Sequence, residues 1–176
     1  VKTEIPQTTY QYTATPFMNS SREYSGLGLD AAACTNEYGV SMSMSVTAFP
    51  NEDALKADPL IKEGLTEFTA NDLVVCQSKT AREGVEVLCG LIDKYGSSES
   101  NIAIIADQKE VWYVEMYTGH QYAAVKLPAD KVSVFGNGFT LEYLADYDDN
   151  ITSNDLTGLA DKKGFVIVNE TLYDYC

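Results

Sequence analysis

Short turns separate four apolar segments in the second half of this chain, and this spacing constrains the fold more than any other feature. The segments are residues 102–106, 110–117, 121–127 and 131–135, and turn-forming residues occupy 107–109, 118–120 and 128–130. A crossover between parallel strands needs about a dozen residues or more, whereas an antiparallel hairpin loop needs about two to five. The spacing therefore predicts an antiparallel meander of four strands.

A second antiparallel pair is predicted nearer the N-terminus. In residues 40–46, valine and methionine alternate strictly with serine, which is typical of a strand with one packed face. Residues 31–35 form a short apolar run, and the N-E-Y-G at 36–39 is a turn sequence. Together these segments predict a β-hairpin. A further strand is predicted over 8–15, followed by a loop over 16–28.

Helices are predicted between the two groups of strands and again near the C-terminal end. The clearest covers 81–95, where apolar residues recur every three or four positions between a Thr80–Glu83 capping-box sequence and Gly96. The others are a short amphipathic stretch that follows 51–53 and ends near residue 60, residues 69–78, and a segment near 153–162. Strands, then helices, then strands predict an α+β fold, with helices packed on an antiparallel sheet in one domain over 1–176.

Net charge excludes two classes of partner. The chain has 12 Lys and Arg against 26 Asp and Glu, a formal net charge of −14. Backbone binding to nucleic acid needs clustered cations, and anionic membranes also attract basic rather than acidic segments. No apolar run approaches the ~18–20 residues that span a bilayer. We therefore predict neither a nucleic-acid nor a membrane partner.

Cysteine and histidine offer little for metal binding or for hydrolysis. Cys34, Cys76, Cys89 and Cys176 form no C-x-x-C pair, and the single histidine, His120, is far from all of them in sequence. A structural zinc site needs four ligands at short paired spacings, so no metal site is predicted and buried free thiols are expected. A Ser–His or Cys–His hydrolase would have to use His120, which falls in a predicted turn.

An acidic run at 146–150 begins like a calcium loop. Its D-x-D-x-N start should be followed by glycine at the sixth position and glutamate at the twelfth. The chain has Ile151 and Thr157 there, so the pattern fails at both positions and a solvated loop is predicted.

Two asparagines can be interpreted as turn residues or as functional ones. Asn36 lies in the N-E-Y-G turn, and Asn137 precedes Gly138 in a favoured turn dipeptide. Both follow predicted strands. If they act together on one reacting group, their side chains should lie within ~10 Å and face a common cleft. The turn interpretation needs no such convergence.

Longer stretches of the chain resemble a known family. They are C-T-N-E-Y-G-V-S-M-S, L-V-V-C-Q-S-K-T-A-R-E-G-V-E-V-L-C-G-L-I-D-K-Y-G and I-A-D-Q-K-E-V-W-Y-V-E-M-Y-T-G-H-Q-Y-A-A-V-K-L-P, with I-P-Q-T-T-Y-Q-Y-T-A-T-P upstream. These strings, over roughly residues 5–162, are similar to the C69 dipeptidases of bacteria. That family belongs to the N-terminal-nucleophile (Ntn) hydrolases, with penicillin V acylases and bile salt hydrolases.

The resemblance implies a four-layer αββα fold, of which this chain would supply much of one sheet. It implies hydrolysis of a dipeptide amide bond through a thioester, without a metal or an organic cofactor. Asn36 would donate its amide to the tetrahedral oxyanion, and Asn137 would hold the scissile carbonyl or the N-terminal amine. Glu115 in W-Y-V-E and His120 in G-H-Q-Y are assigned to substrate binding.

The nucleophile that the resemblance implies is a cysteine at the mature N-terminus, and Val1 is not one. We therefore expect the chain to be the middle part of a longer Ntn-hydrolase domain and to be inactive alone. A catalytically inactive homologue or scaffold module, and a related amidase, are the alternatives. A sheet left open invites association with another copy or with the missing segments of the parent chain. Compartment and dipeptide specificity are left open.

Overall fold

The computed structural model describes residues 8–16, 31–46 and 49–163, together with the backbone of two short strands further on. The strands are β1 (Tyr12–Pro16), β2 (Ala31–Asn36), β3 (Ser41–Val46), β4 (Asn101–Ala106), β5 (Val111–Met116), β6 (Tyr122–Lys126), β7 (Asn150–Thr152), β8 (Val166–Ile167) and β9 (Leu172–Tyr173). The helices are α1 (Glu52–Ala57), α2 (Glu67–Val75), α3 (Ala81–Tyr95) and α4 (Leu156–Lys163), with a 3-10 turn at Leu144–Asp146.

Strands β1 to β7 form one antiparallel sheet in which the spatial order equals the chain order. Helices α1 to α3 are inserted between β3 and β4, which nevertheless pair along their whole length. Strands β8 and β9 form a separate two-stranded antiparallel sheet. The predicted α+β class, with helices on an antiparallel sheet, is confirmed.

The main core lies between one face of the sheet, here called the inner face, and helices α2 and α3. Helix α3 contributes Ala81, Val85, Leu88 and Ile92, all fully buried, at the spacing that predicted it. Burying side chains of this size stabilises the fold by roughly 1.5–3 kcal/mol each for valine, leucine and isoleucine. The opposite face of the sheet, the outer face, packs against the loop after β6 and, at Tyr117 and Ala123, against helices α1 and α4.

Helix α3 begins and ends where the sequence predicted, but its N-terminal cap differs in detail. The Thr80 hydroxyl accepts a 3.1 Å hydrogen bond from the Glu83 backbone N–H. The Glu83 carboxylate accepts from the N–H of Lys79 rather than from that of Thr80. At the C-terminus Gly96 has φ of 73°, a left-handed conformation in which a larger side chain would also collide with Ile61.

The hairpin predicted around N-E-Y-G is confirmed. Strands β2 and β3 pair antiparallel, with Cys34 opposite Met42. Met42 and Met44 are buried on the inner face, whereas the serines between them are on the outer face. Val46, predicted to share the packed face, is 41% exposed because it is the last residue of the strand.

The strand predicted over residues 131–135 is wrong. This segment is a loop in which Val132 is 92% and Val134 is 88% exposed. The edge of β6 that it would have occupied pairs instead with β7, where Ala124 lies opposite Ile151. An alternating V-S-V sequence is compatible with a strand. However, β7 is the segment that the chain places alongside β6, and it therefore pairs with this edge.

Other boundaries shift by a few residues. Helix α2 starts at Glu67 rather than 69, because Thr66 and Thr69 form the capping box. Strand β1 includes Pro16, at a break in register that suits an edge strand. The loop predicted over 16–28 lies outside the described residues, apart from Pro16 itself.

Candidate functional site

The outer face of the sheet brings together polar side chains from β3 and β5. Cross-strand pairing sets Ser45, Ile102, Glu115 and Ala123 in one row across four strands. Because side chains alternate between the two faces, this row projects away from α2 and α3. The loop after β6 crosses this face and contacts it. The candidate site lies where this loop meets β3 and β5.

Glu115 is fully buried beneath this loop. Its Oε1 atom accepts hydrogen bonds from the Tyr113 hydroxyl at 3.0 Å, the Thr140 N–H at 2.5 Å and the Leu141 N–H at 3.1 Å. The Thr140 hydroxyl lies 3.4 Å from the same oxygen. Several donors converging on one carboxylate oxygen hold the loop backbone against strand β5.

Aromatic contacts hold the same loop at two further points. The ring of Phe135 stacks on Tyr113 with centroids 4.0 Å apart and 9° between the planes. Phe139 meets Tyr117 edge-on at 5.0 Å. Burial raises the pKa of the Tyr113 hydroxyl, which keeps it protonated and able to donate to Glu115. Residues 135–141 are thus fixed to β5 at both ends.

Asn137 lies at the tip of this loop. The Gly138 N–H donates to the Gly136 carbonyl at 3.0 Å, so Asn137 is the central residue of a very tight turn. Its Oδ1 accepts a 3.2 Å hydrogen bond from the Ser45 hydroxyl on β3. Since the residue is exposed and its oxygen is engaged, the Nδ2 group is what Asn137 offers to a ligand.

Asn36 lies on the inner face and is buried. Its Nδ2 group donates to the carbonyls of Val75 at 2.8 Å and Ser78 at 2.6 Å. Its Oδ1 accepts from the N–H groups of Tyr38 and Val40, both at 3.0 Å. The side chain therefore joins the hairpin turn to the end of α2, and all of its hydrogen-bonding groups are used there.

The predicted convergence of Asn36 and Asn137 is wrong. Asn137 contacts Ser45, four positions along β3 from Ser41, which lies next to the turn that Asn36 begins. At about 3.3 Å per residue, this separates the two sites by more than ~10 Å along the strands, and they lie on opposite faces of the sheet. The roles assigned to the two residues stay predictions, but an oxyanion role for Asn36 would require the hairpin to separate from α2.

We expect Asn36→Ala to destabilise the chain rather than to leave its fold intact. The substitution leaves two buried carbonyls and two backbone N–H groups without their partner, which costs about 2–3 kcal/mol. Urea unfolding followed by circular dichroism measures this loss. Asn154→Ala, at an exposed turn, is the matched control and should change stability by less than about 0.5 kcal/mol. Equal stability of the two variants would contradict the structural role.

His120 and Glu115, both predicted to bind substrate, have different surroundings. The His120 ring Nδ1 lies 3.0 Å from Asp58 Oδ1, and its backbone N–H donates to Asp58 Oδ2 at 2.6 Å. Thr118 donates its hydroxyl to the same Oδ2 atom. His120 thus ties the β5–β6 turn to the end of α1. Substrate binding by either residue stays a prediction.

The described cysteines are poorly suited to act as nucleophiles. Cys34, Cys76 and Cys89 are buried free thiols. Burial, with the nearby Asp72 carboxylate as a second cause, raises the pKa of Cys34 to about 12. Burial likewise raises the pKa of Cys89 to about 12 and raises that of Cys76. A thiol must ionise to attack, so these groups are inert near neutral pH.

These raised pKa values predict a loss of stability in alkali. An unfolded thiol ionises near pH 8.5, whereas the folded chain keeps Cys34 and Cys89 protonated up to about pH 12. Between these limits the unfolded state binds fewer protons, so the free energy of unfolding falls as pH rises. The urea midpoint should be lower at pH 10 than at pH 7.5, and Cys34→Ala should reduce the difference. A midpoint that rises with pH would contradict the burial of these thiols.

At the other end of the outer face, a cavity of about 870 Å³ opens beside the β4–β5 turn. Ile104, Val111 and Phe135 supply apolar lining, and side chains of both charge signs, such as Lys126 and Asp148, also line it. A lining with both charges suits a small zwitterionic ligand better than an anion or a cation alone.

Two absences concern only the described part of the chain. Within residues 8–16, 31–46 and 49–163, no group of three or more His, Cys, Asp and Glu side chains is placed to hold a metal ion. In the same ranges no helix is long and apolar enough to cross a membrane. The acidic run begins with the last residue of the 3-10 turn and ends with the first residue of β7, and its Asp149 pairs with Arg82.

Sequence reasoning missed the residues that hold Asn137 in place. Ser45, Tyr113, Phe135 and Thr140 were not singled out, because serine in a strand and aromatic residues in apolar runs are ordinary. One signal was available: Tyr113 and Glu115 are two apart in a predicted strand and therefore share a face.

Comparison with known proteins identifies the family to which this chain is similar. The model of peptidase family C69 matches residues 1–175. A probable dipeptidase B from Streptococcus pyogenes serotype M1 is 38% identical over 160 residues, which are 90% of this chain and 31% of that protein. A probable dipeptidase from Latilactobacillus sakei is 38% identical over 145 residues, which are 82% of this chain and 29% of that protein. A probable dipeptidase from Salmonella dublin is 34% identical over 151 residues, which are 85% of this chain and 33% of that protein. The chain therefore spans about a third of the length of the curated relatives it matches.

Proposed function

The chain belongs to peptidase family C69, and from this membership we propose that residues 1–176 are part of a longer dipeptidase. The proposed reaction is hydrolysis of the amide bond of a free dipeptide. Support comes from the names of the relatives, each described as a probable dipeptidase, and from their length, about three times that of this chain.

For the whole enzyme we propose the αββα fold of the Ntn hydrolases. Helices α2 and α3 together with the sheet would form two of the four layers. The outer face supports this assignment: near β1 to β3 it carries small side chains such as Thr13, Thr35 and Ser43, which are exposed. A sheet face of this kind accepts a second sheet at about 10 Å. The second sheet would come from the parent chain outside residues 1–176.

The proposed nucleophile is a cysteine thiolate that this chain does not contain. It would attack the dipeptide carbonyl carbon and form a tetrahedral intermediate with a negatively charged oxygen. Collapse of this intermediate would expel the amine of the second residue and leave a thioester, which water would then hydrolyse. Each tetrahedral step needs hydrogen-bond donors placed where the negative charge develops.

The observation that carries the proposal is the placement of Asn137. Its oxygen is held by Ser45 and its backbone by the loop contacts to β5, so its Nδ2 group is presented from a fixed loop on the outer face. That is the face on which the second sheet would pack and the nucleophile would lie. A preorganised amide donor of this kind contributes about 2.7–4 kcal/mol to transition-state stabilisation.

The test is an assay of the full-length parent protein on matched substrates. Free dipeptides should be cleaved, and their N-acetylated forms should be poor substrates, since the relatives are described as probable dipeptidases. Release of amino acids can be measured by chromatography. Cleavage of N-acyl amino acids in preference to dipeptides would identify a related amidase instead. No turnover of either class by folded parent protein would favour an inactive homologue or scaffold.

A further inference from the structure

A buried carboxylate with one unpaired oxygen lies directly beneath the loop that carries Asn137. All described donors to Glu115 converge on Oε1, whereas Oε2 is buried and has no hydrogen-bond partner among the described residues. An unpaired buried carboxylate oxygen costs free energy, and an apolar residue of similar size would avoid that cost. A contribution to stability therefore does not account for an acid at this position.

The loop needs an external support. Gly136 and Gly138 flank Asn137, and at either position an added side chain would meet nothing within 4 Å. Glycines in open space restrict the backbone very little. The direction of the Asn137 side chain thus depends on contacts made elsewhere in the loop.

Glu115 supplies the strongest of these contacts. Its Oε1 holds the N–H groups of Thr140 and Leu141, three and four residues after Asn137. The same oxygen accepts from Tyr113, whose ring stacks on Phe135, two residues before Asn137. One carboxylate is therefore linked to both sides of the turn.

We propose that Glu115 is a positioning residue, whose carboxylate clamps residues 135–141 and so directs the Asn137 amide toward the reacting carbonyl. This inference rests on the proposed function. It replaces substrate binding by Glu115 with an indirect role. The Glu115 side chain is fully buried beneath residues 135–141 and therefore does not reach a substrate. Displacement of a catalytic group by about 1 Å can lower the rate by about 10²-fold.

The test compares Glu115→Ala, Glu115→Gln and the control Glu142→Gln in the full-length protein. Glu142 is an exposed acid just after the clamped segment. Glu115→Ala should lower kcat by about 10- to 100-fold with little change in KM, since the group acts on Asn137 and not on bound substrate. Glu115→Gln keeps a carbonyl that accepts from Thr140 and Leu141, so it should recover part of the loss. Glu142→Gln should match the unmodified protein.

Two readouts do not depend on activity. Amide hydrogen exchange at Thr140 and Leu141 should accelerate in Glu115→Ala and remain slow in Glu142→Gln. The Asn137 side-chain amide resonances should likewise shift in Glu115→Ala and stay unchanged in Glu142→Gln. If the unmodified parent cleaves no dipeptide, the proposed function fails, and these two readouts alone decide whether Glu115 positions Asn137.

Three results would overturn the inference. They are unchanged exchange at Thr140 and Leu141, an unchanged Asn137 amide, or wild-type kcat in a folded Glu115→Ala protein. Should Glu115→Ala fail to fold, Glu115→Gln decides by the same criteria, because it preserves volume while it removes the charge and replaces one acceptor oxygen with an NH2 donor. Wild-type kcat and wild-type exchange in Glu115→Gln, without a shift of the Asn137 amide, would then reject the role of the carboxylate.

Discussion

The 176-residue chain by itself is expected to release no amino acids from dipeptides that its full-length parent cleaves. The proposed reaction needs a cysteine thiolate on the outer face. The described thiols are buried, and Cys34 lies on the inner face with a pKa raised to about 12. At neutral pH its thiolate population is lower than that of an ordinary cysteine by about three powers of ten. Purified chain and parent, at equal molar concentration on the same dipeptides, give the measurement.

The contrary result has a specific meaning. Turnover by the purified chain that disappears in Cys34→Ala, but persists in Cys89→Ala, would identify Cys34 as the nucleophile and reject the proposed external cysteine. Both variants remove a buried thiol with a raised pKa, so a general loss of packing would affect them alike. Turnover unaffected by either variant would indicate a different nucleophile within residues 1–176.

In the full-length protein, Asn137→Ala is expected to lower kcat by about 10²–10³-fold. This is the effect of removing one preorganised donor from a developing oxyanion. The fold should be unaffected, because Asn137 is exposed and its side chain makes a single described hydrogen bond, to Ser45. Substrate binding should change less than kcat, since the donor acts mainly on charge that exists in the transition state.

Two variants separate the donor from the rest of the side chain. Asn137→Asp keeps the shape and the acceptor for Ser45 but loses the N–H groups, so it should be at least as impaired as Asn137→Ala. Asn154→Ala removes an asparagine from an exposed turn and should retain wild-type kcat. If Asn137→Ala and Asn154→Ala show equal kcat, Asn137 is a turn residue and the proposed site is in error.

Elements defined by local chemistry were predictable from the sequence. Helix α3 has an amphipathic period, a Thr80 cap and a Gly96 stop, and all three are local signals. The hairpin of β2 and β3 follows from its alternating serines and its turn. The segment at 131–135 has an equally good alternation, yet it forms no strand because β7 occupies the edge of β6. Which segment pairs with a sheet edge depends on the path of the rest of the chain.

The candidate site, like the fold, was predictable from the sequence only in part. Asn36 and Asn137 were both recognisable from the sequence as turn residues or amide donors. The register of β3 shows that they lie on opposite faces. Glu115 was recognisable as an acid in an apolar strand, but its contact with Thr140 joins residues 25 positions apart, and such contacts leave no local pattern. Association of the chain with another copy or with its missing segments stays a prediction.

By itself, the sequence determined the α+β class, the acidic net charge and the positions of most strands and helices, because these depend on composition, periodicity and turn chemistry. The family followed from the resemblance of longer stretches of sequence. Only the tertiary structure decided that Asn36 is a structural hydrogen-bond centre and that Asn137 is presented on the outer face. It also placed Glu115 beneath the Asn137 loop. The physical reason is that a side chain's role depends on which partners satisfy its donors and acceptors, and those partners are chosen by long-range packing.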